Sequence, residues 1–308
     1  MKILEWDKKQ KHLQKIEDEL EKAILYLYKD ALEEVRGILA FYYAKYAVNE
    51  QLSMQEMRRF NRYKNLQSEL QQVINEITYE KKKTLNEKLS AQYGESFYYT
   101  SYLIEQEVGV ALSYGLLDPN VIKRAVQMPI DKMTLNQRLS VHRVQIISRI
   151  RKELSIGLRK GEGYAVMANR IKPILDGDAK KAQMVAWTES ARVQNLGTYD
   201  SASQAFDEGV SMEKIWISTL DKRTRPTHQA ADHQKVPFKG LFKVGGYSCE
   251  YPHDSNLPAK EVVRCRCTFI TEVADVSPFI ERRARNPTTG RNEVITAVSY
   301  EEWKDGLE

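Results

Sequence analysis

The sequence predicts an α+β protein that is predominantly α-helical, with a helical N-terminal half followed by a mixed, loop-rich C-terminal domain. Two observations predict the helical half: no proline precedes Pro119, and apolar residues recur at helical spacing between lysines and glutamates. After Gly209, short runs with strand character alternate with loops rich in proline, glycine and aspartate. With 308 residues the chain is long enough for two domains, which we place at 1–130 and 131–308.

Three helical stretches are predicted before the first proline. The first covers 13–38, where apolar residues lie close to helical spacing. The second covers 53–77 and begins with a capping-box pattern at Ser53. The third covers 96–114 and runs through Gly109, at a cost of ~1 kcal/mol relative to alanine. Together they predict a helical bundle or a long helical hairpin.

A long basic helix is predicted from Thr134 to Lys160, ending at Gly161. From Lys132 to Lys160 there are eight lysines and arginines and one acid, a local net charge of +7 against +5 for the whole chain. Such a surface is a candidate for contact with DNA phosphates, and the alternatives are a solvated helix face or a face that meets an acidic partner. The candidate DNA-binding residues, which share one face at 100° per residue, are Arg138, Arg149, Lys152, Arg159 and Lys160.

The C-terminal part combines one more helix with short strands. We predict the helix at 180–206 and strands at 214–218, 262–263 and 268–271. Beyond them, the stretch 285–291 has the composition of a turn.

Histidine and cysteine are concentrated in one short window of the sequence. Of five histidines and three cysteines in the chain, six lie within 228–267. Cys265 and Cys267 are two residues apart, so on a strand their side chains share a face and can approach one ion. This pattern permits a structural zinc as the one candidate cofactor, with His228, His253, Cys265 and Cys267 as candidate ligands, although the sequence favours no bound cofactor. The alternatives are buried thiols with polar loop histidines, or a catalytic Cys–His pair.

A charged loop precedes this window. Asp221, Arg223, Arg225 and His228 lie within eight residues, and such a group can bind a phosphate or a carboxylate. The alternative is an internal salt-bridge network that holds a loop-rich domain together. The sequence contains no GxSxG, Walker A, GxGxxG or HExxH pattern. Three cysteines exclude a disulfide scaffold, and no apolar run is long enough to cross a membrane.

Several of these residues together resemble a known family. Trp216, the run Asp221-x-Arg223-Thr224-Arg225-Pro226-x-His228, Pro258 and Cys265-Arg266-Cys267 resemble the phage Mu F-like head morphogenesis domain of minor head proteins. Upstream, Thr188-Glu189-Ser190-x-Arg192-x-x-Asn195 resembles the helix motif of that family. Downstream, Arg285-Asn286-Pro287-x-Thr289-Gly290 and Ser299-Tyr300-x-x-Trp303 resemble the tail of some members. The resemblance covers about 160–308, and the whole chain is similar to minor head proteins of Bacillus siphophages.

The chain departs from the family pattern at two positions. Many members have Asp–Gly after the motif histidine, where this chain has Asp232–His233. Many also carry a histidine three residues before the first motif cysteine, where this chain has Val262. If the family residues hold a metal, His233, Cys249 or His253 would have to supply the replacement ligand.

The resemblance implies a non-enzymatic minor capsid protein. Such a protein binds the portal protein during procapsid assembly, stays inside the head near the portal vertex, and influences genome packaging, ejection and infectivity. Its expected partners are the portal protein, packaged double-stranded DNA bound without sequence preference and, as a further candidate, a scaffolding protein. No membrane is expected. Region 1–130 would serve docking, and its aromatic cluster 41–46 is either an anchor for a partner or ordinary core packing.

One alternative function belongs to a different class. A metal-dependent enzyme, either a nuclease or a toxin-like transferase, could use the residues of 221–267. A nuclease needs carboxylates around a hard metal ion, and Asp221, Asp232 and Asp254 lie near histidines in the sequence. A structural metal predicts loss of the fold on chelation, whereas a catalytic metal predicts an intact fold without activity.

Overall fold

The computed structural model describes residues 3–274, 283–285, 292–294 and 299–307. The helices are α1 (Ile3–Tyr46), α2 (Met54–Arg58), α3 (Arg62–Val108), α4 (Pro119–Gln127), α5 (Leu135–Lys160), α6 (Tyr164–Asp207), α7 (Pro226–Ala231), α8 (Ala259–Val262) and α9 (Tyr300–Asp305). The strands are β1 (Met212–Ile217), β2 (Lys235–Pro237), β3 (Phe242–Val244), β4 (Tyr247–Cys249), β5 (Thr268–Val273), β6 (Arg283–Arg285) and β7 (Asn292–Val294). The predicted class, α+β and mainly α, is confirmed.

The chain forms two compact units, each assembled from separate stretches. Unit 1 comprises Met1–Asp18, Lys88–Lys132 and Trp187–Glu308. Unit 2 comprises Glu19–Glu87 and Met133–Ala186, and its described elements are all helical. The predicted division between residues 130 and 131 separates a docking region from the family domain, and it stays a prediction.

The strands of unit 1 form small antiparallel sheets. The three-stranded sheet has the order β2-β1-β5, and Trp216 in β1 lies opposite Phe269 in β5. Alternate residues of β1 are buried, as expected for a strand with one face on the core. β3 pairs with β4, and β6 pairs with β7. The predicted strands at 214–218 and 268–271 are therefore confirmed.

The basic helix was predicted most closely because both of its ends are set by local chemistry. The Thr134 hydroxyl accepts a hydrogen bond from the backbone N–H of Gln137, whose side chain accepts one from the backbone N–H of Thr134. At the other end Gly161 has φ +67°, the left-handed conformation that glycine adopts without a steric penalty. The predicted helix 134–160 is confirmed as α5.

Gly109 ends a helix that we expected to continue through it. α3 stops at Val108, and Gly109 has φ +71°, so the prediction of helix as far as residue 114 was wrong. The same helix joins parts of the stretches 53–77 and 96–114, because no proline or left-handed residue interrupts it from residue 62 onward.

The helix predicted at 180–206 is confirmed as part of α6, which begins earlier, at Tyr164, and contains Pro173 and Gly177. One further prediction was wrong. The strand placed at 262–263 is instead the end of α8, which has Pro258 at its N-cap and Val262 buried. The tail residues 286–290, which carry part of the family resemblance, lie outside the described residues.

Within unit 1, the backbones of α3 and α6 lie close together at Gly197. A Cβ atom at this position would lie 2.6 Å from the Tyr93 carbonyl oxygen and 3.1 Å from the Phe97 backbone nitrogen. We therefore expect Gly197→Ala to lower the free energy of unfolding by about 1–3 kcal/mol, because the two helix backbones must move apart. Urea unfolding followed by circular dichroism measures this change.

Gly177→Ala is the matched control on the same helix. Nothing lies within 4 Å of a Cβ at Gly177, so alanine should raise the free energy of unfolding by about 0.5–1 kcal/mol through its higher helix propensity. Shifts of the same sign and size in both variants would contradict the assignment of Gly197 as a close contact.

Candidate functional site

The loop that begins at Asp221 is held by its own side chains. The Asp221 carboxylate accepts hydrogen bonds from both terminal nitrogens of Arg266, at 2.7 and 2.8 Å, and from the backbone N–H of Arg223. The hydrogen bonds from Arg266 hold the pKa of Asp221 well below its ordinary value. Asp221 therefore has the contacts expected if the loop is an internal salt-bridge network, which was the alternative interpretation.

The two motif arginines have different surroundings. Arg225 donates to the Val263 carbonyl oxygen and caps the start of α7, whose first residue is Pro226. Arg223 is largely exposed and pairs only loosely with Asp221, at 3.3 Å. Trp216 is fully buried, and its Nε1 donates to Ser218 Oγ at 3.0 Å. Arg225 thus ties the loop to the segment that precedes the two motif cysteines.

His228, Cys265 and Cys267 converge in the interior of unit 1. His228 Nδ1 lies 3.3 Å from Cys267 Sγ and 3.4 Å from Cys265 Sγ, and the three ligand atoms are all within 4.8 Å of one another. The three side chains are 1–5% exposed. Within the described residues this is the one group of three or more His, Cys, Asp or Glu side chains with converging ligand atoms.

The two thiols share a hydrogen bond. Donation from the Cys265 thiol lowers the pKa of Cys267, and the same contact raises the pKa of Cys265. The chemistry of the cluster is therefore that of soft ligands that can be deprotonated, which suits a borderline metal such as zinc.

The remaining candidate ligands lie elsewhere. His253 is buried, with Nε2 near the Cys265 carbonyl oxygen and Nδ1 near the Asn195 amide, so both ring nitrogens are engaged outside the cluster. The side chain of His233 is 77% exposed and pairs with Asp232. Cys249 is buried in β4, and burial raises the pKa of its thiol to about 12. None of these three residues takes the place of the missing family histidine, and Val262 is buried at that position.

The helix motif on α6 contacts the same C-terminal segment. Thr188 Oγ1 accepts from the Arg264 backbone N–H, and Asn195 Nδ2 donates to the Cys267 carbonyl oxygen. Arg192 pairs with Glu189 at 2.8 Å and donates to two backbone carbonyl oxygens near the end of α4. Both family motifs thus position the segment 264–267.

Sequence reasoning missed one residue of this site. Glu261 Oε2 lies 3.0 Å from His228 Nε2 and also accepts from Thr227 Oγ1 at 3.2 Å. Glu261 is 6% exposed in the structure, and the sequence signals it only as an acid four residues before Cys265. The carboxylates proposed for a nuclease site do not gather here: Asp221, Asp232 and Asp254 each accept bonds from nearby backbone N–H groups.

The basic face of α5 lies in unit 2. Arg149, Lys152, Arg159 and Lys160 are exposed, and no ion pair engages them among the residues that the structure describes. Arg138 is half-buried, which makes it less available to a partner than the other four. None of the described helices is long and apolar enough to cross a membrane.

Comparison with known proteins gives a consistent result. Residues 148–270 match the model of the family described as phage Mu protein F like protein. The chain is 32% identical over 298 residues to the minor head protein GP7 of Bacillus phage SPP1, covering 96% of this chain and 94% of that protein. No solved structure matches the chain.

A second relative has a name that describes a different function. The chain is 28% identical over 299 residues to the NAD(+)–arginine ADP-ribosyltransferase EFV of Enterococcus faecalis. The match covers 97% of this chain and 60% of that relative, so the remainder of that protein has no counterpart here. The GP7 match, by contrast, spans nearly the full length of both proteins, and the chain therefore belongs to the phage Mu F-like family of minor head proteins.

Proposed function

We propose that this chain is a minor, non-enzymatic component of a phage head. It binds the portal protein during procapsid assembly and remains in the virion, inside the capsid near the portal vertex and the packaged DNA. There it influences packaging, ejection and infectivity, and a scaffolding protein is a further candidate partner during assembly. The observation that carries the proposal is the match along nearly the whole chain to a minor head protein.

Unit 2 supports portal docking with unusually exposed apolar side chains. Phe60 is 84% exposed, Tyr26 65% and Phe41 54%, and aromatic side chains are enriched at protein interfaces relative to the rest of the surface. The predicted aromatic cluster is divided: Tyr42 and Tyr43 are buried in the core, whereas Phe41 faces outward. We assign the portal contact to the outward-facing residues.

A groove of about 450 Å³ lies in the same unit. It is lined by Tyr43, Ala44, Ala47, Glu50, Gly163, Tyr164, Ala165 and Val166. Val166 is half-exposed on its rim, so the groove adds apolar surface to the proposed docking region.

The basic face of α5 supports contact with DNA. A protein inside a filled capsid meets DNA at very high concentration, so non-specific contacts of lysine and arginine with phosphates are sufficient. The four exposed cations fit this task because nothing in the described part of the chain neutralises them by direct pairing.

Two enzymatic functions receive less support. A nuclease requires converging carboxylates, and the aspartates of 221–254 are spread over separate turns. One relative is named as a transferase, but this chain also matches a minor head protein along nearly its whole length and at higher identity. The non-enzymatic function therefore remains the proposal.

Co-purification with the portal protein of the same phage tests portal docking. We expect a complex that survives ~0.5 M salt, because charge–charge attraction is screened at that ionic strength and apolar burial is not. The Phe41→Ser and Phe60→Ser variants should weaken the complex, whereas Leu220→Ser, an exposed leucine of unit 1, should not. Loss of the complex in salt would move the contact to the basic face, and absence of a complex at low salt would overturn portal docking.

A further inference from the structure

We propose that His228, Cys265 and Cys267 bind one structural zinc ion, and that Glu261 orients the histidine from behind. The inference does not depend on portal or DNA binding, because all four residues lie inside unit 1 and none is part of the proposed contact surfaces. It also differs from the sequence-based ligand set, since it leaves out His253 and adds Glu261 as a positioning residue.

The spacing of the donor atoms matches a zinc tetrahedron. Zinc–sulfur bonds of ~2.3 Å and zinc–nitrogen bonds of ~2.0–2.1 Å place sulfur and nitrogen about 3.6 Å apart at the tetrahedral angle. His228 Nδ1 lies 3.3 and 3.4 Å from the two sulfur atoms. A shift of a few tenths of an ångström therefore brings the nitrogen to the required separation from each sulfur, and all three donor atoms lie within 4.8 Å of one another.

Glu261 supplies the outer partner that such a histidine needs. In metal sites the nitrogen that does not bind the metal usually donates to a carboxylate, which fixes the tautomer and the ring orientation. His228 Nε2 lies 3.0 Å from Glu261 Oε2, on the far side of the ring from the thiols. With its proton on Nε2, the ring presents an unprotonated Nδ1 to the two sulfur atoms.

The carboxylate of Glu261 is itself held firmly in place. Thr227 Oγ1 donates to it, and Gly245 leaves room for it, because a Cβ at that position would lie 2.7 Å from Glu261 Oε1. Burying a carboxylate is costly unless it is paired and hydrogen-bonded, and His228 and Thr227 supply these partners. A carboxylate fixed in this way holds the histidine ring in one orientation, as a metal ligand requires.

Burial of the three ligands argues for a structural role. A catalytic zinc ion keeps a position open to substrate, whereas these three side chains are 1–5% exposed. Ser218 Oγ lies 3.6 Å from Cys267 Sγ but already donates to the His228 carbonyl oxygen and accepts from Trp216 Nε1. Among the described residues the protein supplies three ligands, one fewer than most structural zinc sites have, so burial and not ligand count supports the structural role. The ion would join α7 to the segment that leads into β5.

Metal analysis of the full chain tests the site directly. We expect one zinc per chain after purification without chelators, and a cobalt-substituted protein with the near-ultraviolet sulfur-to-metal absorption of a thiolate site. The Cys265→Ser/Cys267→Ser variant should bind no zinc. Cys249→Ser is the matched control, since Cys249 is also a free, buried cysteine of unit 1 but lies outside the cluster, and it should retain one zinc.

The Glu261→Gln variant keeps all three ligands. It therefore tests the site even if the variant without both cysteines fails to fold. We expect its zinc affinity to fall by ~10–100-fold, measured by competition with a chelating dye, as is typical for loss of an outer carboxylate. Three results would each overturn the proposal: a folded wild-type chain that takes up no zinc after reconstitution, equal loss of zinc in Cys249→Ser, or a Cys265–Cys267 disulfide found by mass spectrometry without reduction.

Discussion

Replacing Arg192 with alanine is expected to lower the free energy of unfolding by about 3–5 kcal/mol, as is typical when one partner of a buried ion pair is removed. Arg192 is 1% exposed and pairs with Glu189, which is fully buried. Its other two nitrogens donate to the carbonyl oxygens of Ala125 and Val126, at 2.8 and 2.9 Å. The variant therefore loses the cation beside a buried carboxylate and two hydrogen bonds to the end of α4.

Lys172→Ala is the control on the same helix. Lys172 pairs with Asp176 at 3.4 Å, both side chains are about half exposed, and pairs of this kind contribute little. We expect a change within about 0.5 kcal/mol, and an intermediate loss for Arg192→Lys, which keeps the charge without the planar fork. Urea unfolding gives the three values. A loss below about 1 kcal/mol for Arg192→Ala would contradict the assigned role of the buried pair.

Local chemistry explains why some helix ends were predictable and others were not. Thr134 caps the start of α5 and Gly161 ends it. Both use hydrogen bonds to residues within four positions, so the sequence alone defines both ends. Gly109 has the same end-of-helix function, but an isolated glycine inside an apolar pattern does not reveal its φ angle.

Tertiary packing explains two further differences from the prediction: the early start of α6 and the helix in place of a strand at 262–263. A proline usually marks a helix boundary. α6 nevertheless continues through Pro173, and Met167, Ile171 and Leu175 are fully buried on its packed face. Val262 and Val263 have high strand propensity, but a proline N-cap and the burial of Val262 favour a short helix there. Neither outcome can be derived from residue preferences alone.

The candidate site was predictable in composition and not in geometry. The concentration of histidine and cysteine in 228–267 indicated four candidate ligands, and the structure brings three of them together, His228, Cys265 and Cys267. It could not separate His253, whose ring nitrogens contact Cys265 and Asn195 rather than the thiols. That distinction depends on how α6 packs against the segment 264–267, which involves residues about 70 positions apart in the chain.

A variant that lacks the four exposed cations of α5 should lose most of its salt-dependent affinity for DNA. Each phosphate contact contributes about 0.9 to the slope of log affinity against log salt concentration, so four fewer contacts lower the slope by about 3.6. Between about 50 and 200 mM salt, the wild type should then lose roughly 100-fold more affinity than the variant. The substitutions are Arg149→Ala, Lys152→Ala, Arg159→Ala and Lys160→Ala.

A variant of α1 with the same change in net charge is the control. It shows whether DNA affinity depends on the α5 face or only on the net charge of the chain. Lys11, Lys15, Lys22 and Lys29 are also exposed, but acids such as Asp18 and Asp30 lie among them. Their replacement by alanine should change the slope much less, because neighbouring acids repel phosphates. Fluorescence anisotropy with two duplexes of unrelated sequence gives both slopes. Equal slopes in the two variants would contradict the assignment of DNA binding to the α5 face. A strong preference for one duplex would contradict recognition through phosphates alone, because such contacts carry no sequence information.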